Sequence, residues 1–134
     1  MSAFYYNLAV AGSTNYKESN DCCVIAWATV FQCEYAKAHK YLKEVGGRAP
    51  HRGMFQKDIQ RCFEGVKLHK WVKGPYSASN KISLKKFINK HPEGRFFVVS
   101  RGHAFAVVDG VVLDYKEGLR RQVKHAWRVY EKSS

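Results

Sequence analysis

Apolar positions along this chain fall into two regimes. In the first half they recur at helical spacing; in the last third they form short apolar or alternating runs bounded by turn residues. The most apolar stretch is Cys22-Cys23-Val24-Ile25-Ala26-Trp27-Ala28-Thr29-Val30-Phe31, preceded by Ser19, Asn20 and Asp21, all good N-cap residues. It is apolar nearly all round and predicts a buried helix over about Asp21 to Phe31. A second helical pattern runs from Glu34 to Val45, with Tyr35, Ala38, Tyr41, Leu42 and Val45 on one stripe and Gly46-Gly47 at its end. A third covers Met54 to Phe63, and a short helix capped by Ser83 covers Leu84 to Asn89.

The strand signals come mostly later. Phe96 to Ser100 reads as an apolar strand, and Gly102 marks a break or bulge. Ala104 to Val108, the turn Asp109-Gly110 and Val111 to Tyr115 read as a hairpin, since both turn residues tolerate positive φ. A last strand is expected over Val123 to Tyr130. Residues 1 to 10 alternate weakly, which suggests an edge strand, and Ala11 to Lys17 reads as a turn or loop. Val66 to Val72 alternates as a strand, Gly74 to Lys81 reads as a loop, and Arg48 to Gly53 as a polar, basic loop. Helices first and an antiparallel sheet afterwards predict an α+β fold in one domain spanning residues 1–134.

Composition narrows the setting. With 134 residues, 46% hydrophobic and 14% aromatic, the chain can bury one core. Charges interrupt every apolar run, so no membrane span or membrane partner is expected, and Met1 to Val10 lacks the pattern of a signal peptide. A cytoplasmic setting follows as an expectation, and with it four reduced thiols: Cys22, Cys23, Cys33 and Cys62. The net charge of +12, from 23 Lys and Arg against 11 Asp and Glu, favours acidic partners, either a protein substrate or nucleic acid. The positive residues are scattered, which makes a solvated basic surface the plainer account.

The hairpin then brings candidate chemistry together. A two-residue turn at Asp109-Gly110 pairs Val108 with Val111, Phe105 with Asp114 and His103 with Lys116. His103 and Asp114 become diagonal neighbours on one face, about 7 Å apart at the backbone and within side-chain reach. Cys22 sits in the first turn of its helix, where unpaired N–H groups and the helix dipole favour a thiolate. Cys22 as nucleophile, His103 as acid and base, and Asp114 orienting the ring describe a thiol acyl-transfer site. The backbone N–H of Cys22 is a candidate for stabilising the oxyanion.

Each residue taken alone has a plainer use. Cys22 reads as a small buried hydrophobe, His103 as a core histidine, Asp114 as a strand end and Asp21 as a cap. Cys23 lies about 100° further round the helix, where packing accounts for it. Cys33 and Cys62 read as core, as do Trp27, Trp71 and Trp127 wholly or in part. His39, His51, His69, His91 and His125 have no partner visible in the sequence. No C-x-x-C is present, and two adjacent helical cysteines pointing apart do not easily share a metal, so neither metal nor cofactor is expected.

The order Asp21-Cys22, then His103-Ala104-Phe105-Ala106-Val107-Val108, then Asp114 resembles the papain-like cysteine peptidases, nearest to the bacteriocin-leader peptidase branch. Asn20-Asp21-Cys22 and Arg101-Gly102-His103-Ala104-Phe105-Ala106-Val107-Val108-Asp109-Gly110 also resemble small uncharacterised phage proteins. The likeness covers residues 15 to 115. It implies a papain-like fold, a Cys22–His103–Asp114 triad, a peptide or protein substrate, and a phage protein working in a host cytoplasm. The branch carries an oxyanion-donating Gln shortly before its cysteine; Tyr16 stands there, leaving Asn15, Asn20 and the Tyr16 hydroxyl as candidate donors. Where the branch has Gly after the cysteine, this chain has Cys23. The alternative is a papain-like domain with weak or lost turnover that binds a host protein or nucleic acid.

Overall fold

The computed structural model describes residues 3–17, 20–49, 51–66, 71–101, 103–114 and 122–130, with the side chains of 71, 73 and 75–81 excepted. The expectations for Ser19, Pro50, residues 67–70 (His69 among them), the Trp71 side chain, Gly102, Tyr115 and Lys116 lie outside these residues. The fold is α+β. Its helices are α1 (Phe4–Asn15), α2 (Cys22–Phe31), α3 (Tyr35–Gly46), α4 (Gln56–Val66) and α5 (Leu84–Lys90). Its strands are β1 (Trp71–Ser83), β2 (Arg95–Ser100), β3 (His103–Val108), β4 (Val111–Leu113) and β5 (Gln122–Tyr130). They form one antiparallel sheet in the order β1-β5-β2-β3-β4.

Strand alternation divides the core between the two faces of the sheet. Phe97, Ala104, Ala106, Val108 and Trp127 pack with buried residues of α1 to α4, whereas Phe96, Val98, Phe105 and Val107 pack with Leu84 and Phe87 of α5. Helix α2 lies at the centre of the first layer. Seven of its ten residues are buried, and Trp27 packs on Phe31, Tyr41, Phe63 and Phe97. The mostly apolar sequence of α2 is therefore matched by burial around nearly its whole circumference. Helix α3 stops at Gly47, whose φ of 70° an L side chain rarely adopts. Ser83 caps α5 by accepting a hydrogen bond from the Lys86 N–H at 3.2 Å.

Two expectations are corrected. Residues 1 to 10 do not form an edge strand, nor Ala11 to Lys17 a loop: Phe4–Asn15 is a helix. Tyr5 and Tyr6, Ala9, then Gly12 and Ser13 form its inward stripe, at helical spacing. The small residues that resemble a turn in sequence are what let α1 approach closely; a Cβ on Gly12 would collide with the Tyr35 side chain. The second correction concerns residues 66 to 83. Val66 closes α4, and Gly74 to Lys81 belongs to β1 rather than to a loop. β1 is an edge strand whose pairing with β5 is interrupted between Lys73 and Tyr76 and between Ser77 and Ile82. Such interruptions on an edge accommodate Gly74 and Pro75, which would break a central strand.

Candidate active site

Asp21 takes the N-cap position of α2 through its backbone carbonyl, which accepts hydrogen bonds from Val24 and Ile25 at 2.9 and 3.1 Å. Its carboxylate does not cap the helix. It accepts hydrogen bonds from the Ser13 hydroxyl of α1 and, at 2.8 Å, from the buried Tyr35 hydroxyl of α3. Asp21 therefore ties three helices together at the point where α2 begins, and Cys22 is the next residue. As the first helical residue, Cys22 has an N–H outside the intrahelical ladder.

On the opposite side stands the hairpin. Its register is Val108 with Val111, Val107 with Val112 and Ala106 with Leu113, around the left-handed turn residues Asp109 and Gly110. Asp114 follows directly, and its two carboxylate oxygens lie 3.0 and 2.8 Å from Nε2 of His103. Both side chains are buried. The His103 ring stacks on Phe105 with 5.9 Å between centroids, which fixes its plane further. With Nε2 taken by the carboxylate, Nδ1 is left for the sulfur.

The Cys22 thiol shares its cleft with the first two residues of this strand, His103 and Ala104, and both favour its thiolate form. The neighbouring Cys23 thiol favours that form too. Cys23 is buried in the core, as its packing role predicts.

These contacts set the charges. The polar neighbours of the sulfur, Cys23 first and then His103 and Ala104, outweigh burial and hold Cys22 down at about 4. Cys23 moves the other way, because a thiolate stands next to it and it is itself buried. The Asp114 carboxylate, with Cys22 in second place, raises His103 to about 9. Between these limits the site holds a thiolate beside an imidazolium, with a carboxylate behind the ring. That is the charge state a thiol nucleophile requires.

The thiol opens on a cleft of about 270 Å³. Gly53, Met54, Phe55, Gln56 and Ile59 form one wall, and Val99, Ser100, Lys124 and His125 the other. Cys22, Cys23, His103 and Ala104 also line it. Behind the sulfur a void of only about 10 Å³ lies between Tyr6, Ile25, Phe105 and Asp114, room for about one water.

None of the three candidate oxyanion donors is among the described residues that line this cleft. Asn15 is the exposed last residue of α1, and the half-exposed Tyr16 ring rests against Tyr35 and His39. Asn20 adopts a φ of 52° and donates its side-chain N–H to the His51 carbonyl at 3.1 Å. The basic loop, by contrast, does border the cleft through Gly53.

His125, Lys124 and Gln56 are cleft residues that the sequence does not reveal. His125 enters because β5 pairs with β2, setting it opposite Val99. That long-range pairing leaves no local signal. Gln56 lies 3.5 Å from Nδ1 of His125. His39 and His91 are in aromatic contacts, with Tyr16 and Tyr35 and with Phe87 and Phe96 respectively. Among the described residues, no group of three or more His, Cys, Asp or Glu is placed to hold a metal ion, and no helix is long and apolar enough to cross a membrane. No protein-family model, curated protein or solved structure matches the chain.

Proposed function

We propose that this protein is a papain-like cysteine peptidase that hydrolyses amide bonds through Cys22, His103 and Asp114. The observation that carries the reading is the Asp114 carboxylate 2.8 Å from the His103 ring, with that ring and the helix-start Cys22 thiol lining one cleft. In this reading the thiolate attacks the scissile carbonyl carbon, and the carbonyl electron pair moves onto oxygen. The oxyanion forms beside the N–H of Cys22. As the intermediate collapses, the C–N bond breaks and His103 passes its proton to the departing amine. Neutral His103 then takes a proton from water, which attacks the thioester and releases the acid. Asp114 keeps the ring oriented through both steps. The net charge of +12 supports an acidic protein or peptide substrate, and the resemblance supports a phage protein acting in a host cytoplasm.

The test is incubation with a fluorogenic peptide library, followed by mass analysis of the intact chain quenched in acid. Acyl adducts confined to Cys22, absent from His103→Ala, are the expected result; turnover that survives Cys22→Ala would overturn the reading. A second reading is a binding module with lost turnover. It is favoured by one observation, that Asn15, Tyr16 and Asn20 are not among the described residues lining the cleft. A Cys22 that reacts with iodoacetamide but is never acylated by peptides would select it, and salt-sensitive nucleic-acid binding would then give its ligand.

A further inference from the structure

The lining of the cleft divides into an apolar floor and a charged rim. Beside the thiol, Met54, Ile59 and Val99 make an apolar floor; Ile59 is buried and the other two are half-buried. Phe55, 75% exposed, extends this surface outward at the rim. Facing it on β5 is the exposed Lys124. Among the described residues that line the cleft there is no Asp or Glu. The other charges among them cancel, since the Cys22 thiolate and the His103 imidazolium neutralise one another. Burial holds His125 towards its neutral form, assisted by the charge of Lys124. Arg52, exposed beside Gly53, adds a second cation at the edge of the opposite wall. A ligand in this cleft therefore meets an apolar surface next to the nucleophile and positive charge at the rim.

We infer that the cleft selects peptides in which an apolar side chain, seated on Met54, Ile59 and Val99, stands next to an acidic residue that pairs with Lys124. The inference rests on the cysteine-peptidase reading and adds the substrate class to it. Apolar contact gives affinity without direction, because the floor offers little to tell Leu from Met. The charge supplies selection: a carboxylate gains an ion pair with Lys124, and a lysine in its place meets repulsion. The rim is wet, so each effect is modest, and their difference amounts to about tenfold between Glu and Lys peptides at low salt. It fades as salt screens the exposed pair.

The experiment uses the full chain and internally quenched peptides containing one Leu, with Glu, Gln or Lys at each neighbouring position, and a matched set with Gly in place of Leu. The expected result is kcat/KM falling in the order Glu, Gln, Lys at one position, lost in the Gly set. Lys124→Glu reverses that order and Lys124→Met flattens it. Both substitutions are at an exposed side chain, so the fold is retained. Cys22-dependent cleavage with equal rates for Glu and Lys peptides, or with the wild-type order kept in Lys124→Glu, overturns the inference and leaves the peptidase reading standing. Absence of cleavage and of Cys22 acylation across the whole set removes both.

Discussion

The two halves of the candidate site are built by different means. The hairpin half, His103 and Asp114, needs only a two-residue turn and three paired positions to bring ring and carboxylate within 2.8 Å. The helix half needs distant parts of the chain. Cys22 is set by the packing of α2 among α1, α3 and the sheet, and by Asp21 holding Ser13 and Tyr35. Orientation of the His103 ring is thus a local property, whereas the surroundings of Cys22 depend on the assembled fold. The charges couple the two halves. Asp114 in the hairpin is the main influence that raises His103 to about 9, with Cys22 second, and Cys22 is held near 4 first by Cys23 beside it and then by His103 and Ala104 of the hairpin strand.

The largest effect that would test this division is expected from the hairpin side. Asp114→Asn preserves the shape of the side chain but removes its charge, so His103 falls from about 9 back towards its ordinary value. The alkaline limb of kcat/KM then moves to lower pH, because the protonated ring that serves the leaving amine is lost earlier. At pH 8 kcat/KM should drop by up to about thirtyfold, the ratio of the protonated fractions of a ring at about 9 and one at its ordinary value. The acid limb near 4, set around Cys22, should move much less. A pH–rate profile checks both limbs, and an alkaline limb still near 9 would show that the carboxylate does not govern the ring.

A smaller effect is expected from the far side of the helix half. Tyr35→Phe removes a hydrogen bond at 2.8 Å to the buried Asp21 carboxylate, leaving Ser13 in place. Losing one partner of a buried charged acceptor costs about 1–3 kcal/mol. Urea unfolding should therefore show a lower midpoint at unchanged slope. The titration limits of His103 should stay where they are, since neither Tyr35 nor Asp21 is among the groups that set them. Loss of stability together with a displaced alkaline limb would mean that the two halves are not separable.

The same division explains what could be read from the sequence. Asp109-Gly110 between apolar runs gives a register, and a register gives facing positions; His103 and Asp114 could be paired without coordinates for that reason. The unbroken apolar run from Cys22 to Phe31 likewise predicts a buried helix, since few surface helices are apolar on every side. Helix α1 was hidden because its inward stripe uses Ala9, Gly12 and Ser13, which carry little hydrophobic signal and resemble a turn. The second wall of the cleft was hidden because Lys124 and His125 lie far along the chain from Cys22, and only the β5–β2 pairing brings them close. Sequence periodicity reports which way a side chain faces along its own element. It does not report which other element it will face.

The smallest effect concerns Cys23, where packing and chemistry meet in one residue. Its side chain is buried in α2, and it is the leading influence that lowers Cys22. Cys23→Ala keeps a small apolar residue, so the helix should form and the destabilisation should stay near 1 kcal/mol. That influence disappears, leaving the His103 ring and the Ala104 N–H to favour the Cys22 thiolate. The acid limb should rise from about 4 but remain below neutrality, because an imidazolium partner persists up to about 9. At pH 7 iodoacetamide should then label Cys22 at nearly the wild-type rate, whereas at pH 5 the rate should fall about tenfold as the thiolate is protonated. Equal rates for variant and wild type at both pH values would mean that Cys23 only fills space. A large loss already at pH 7 would mean that Cys23, rather than the hairpin histidine, keeps the nucleophile charged.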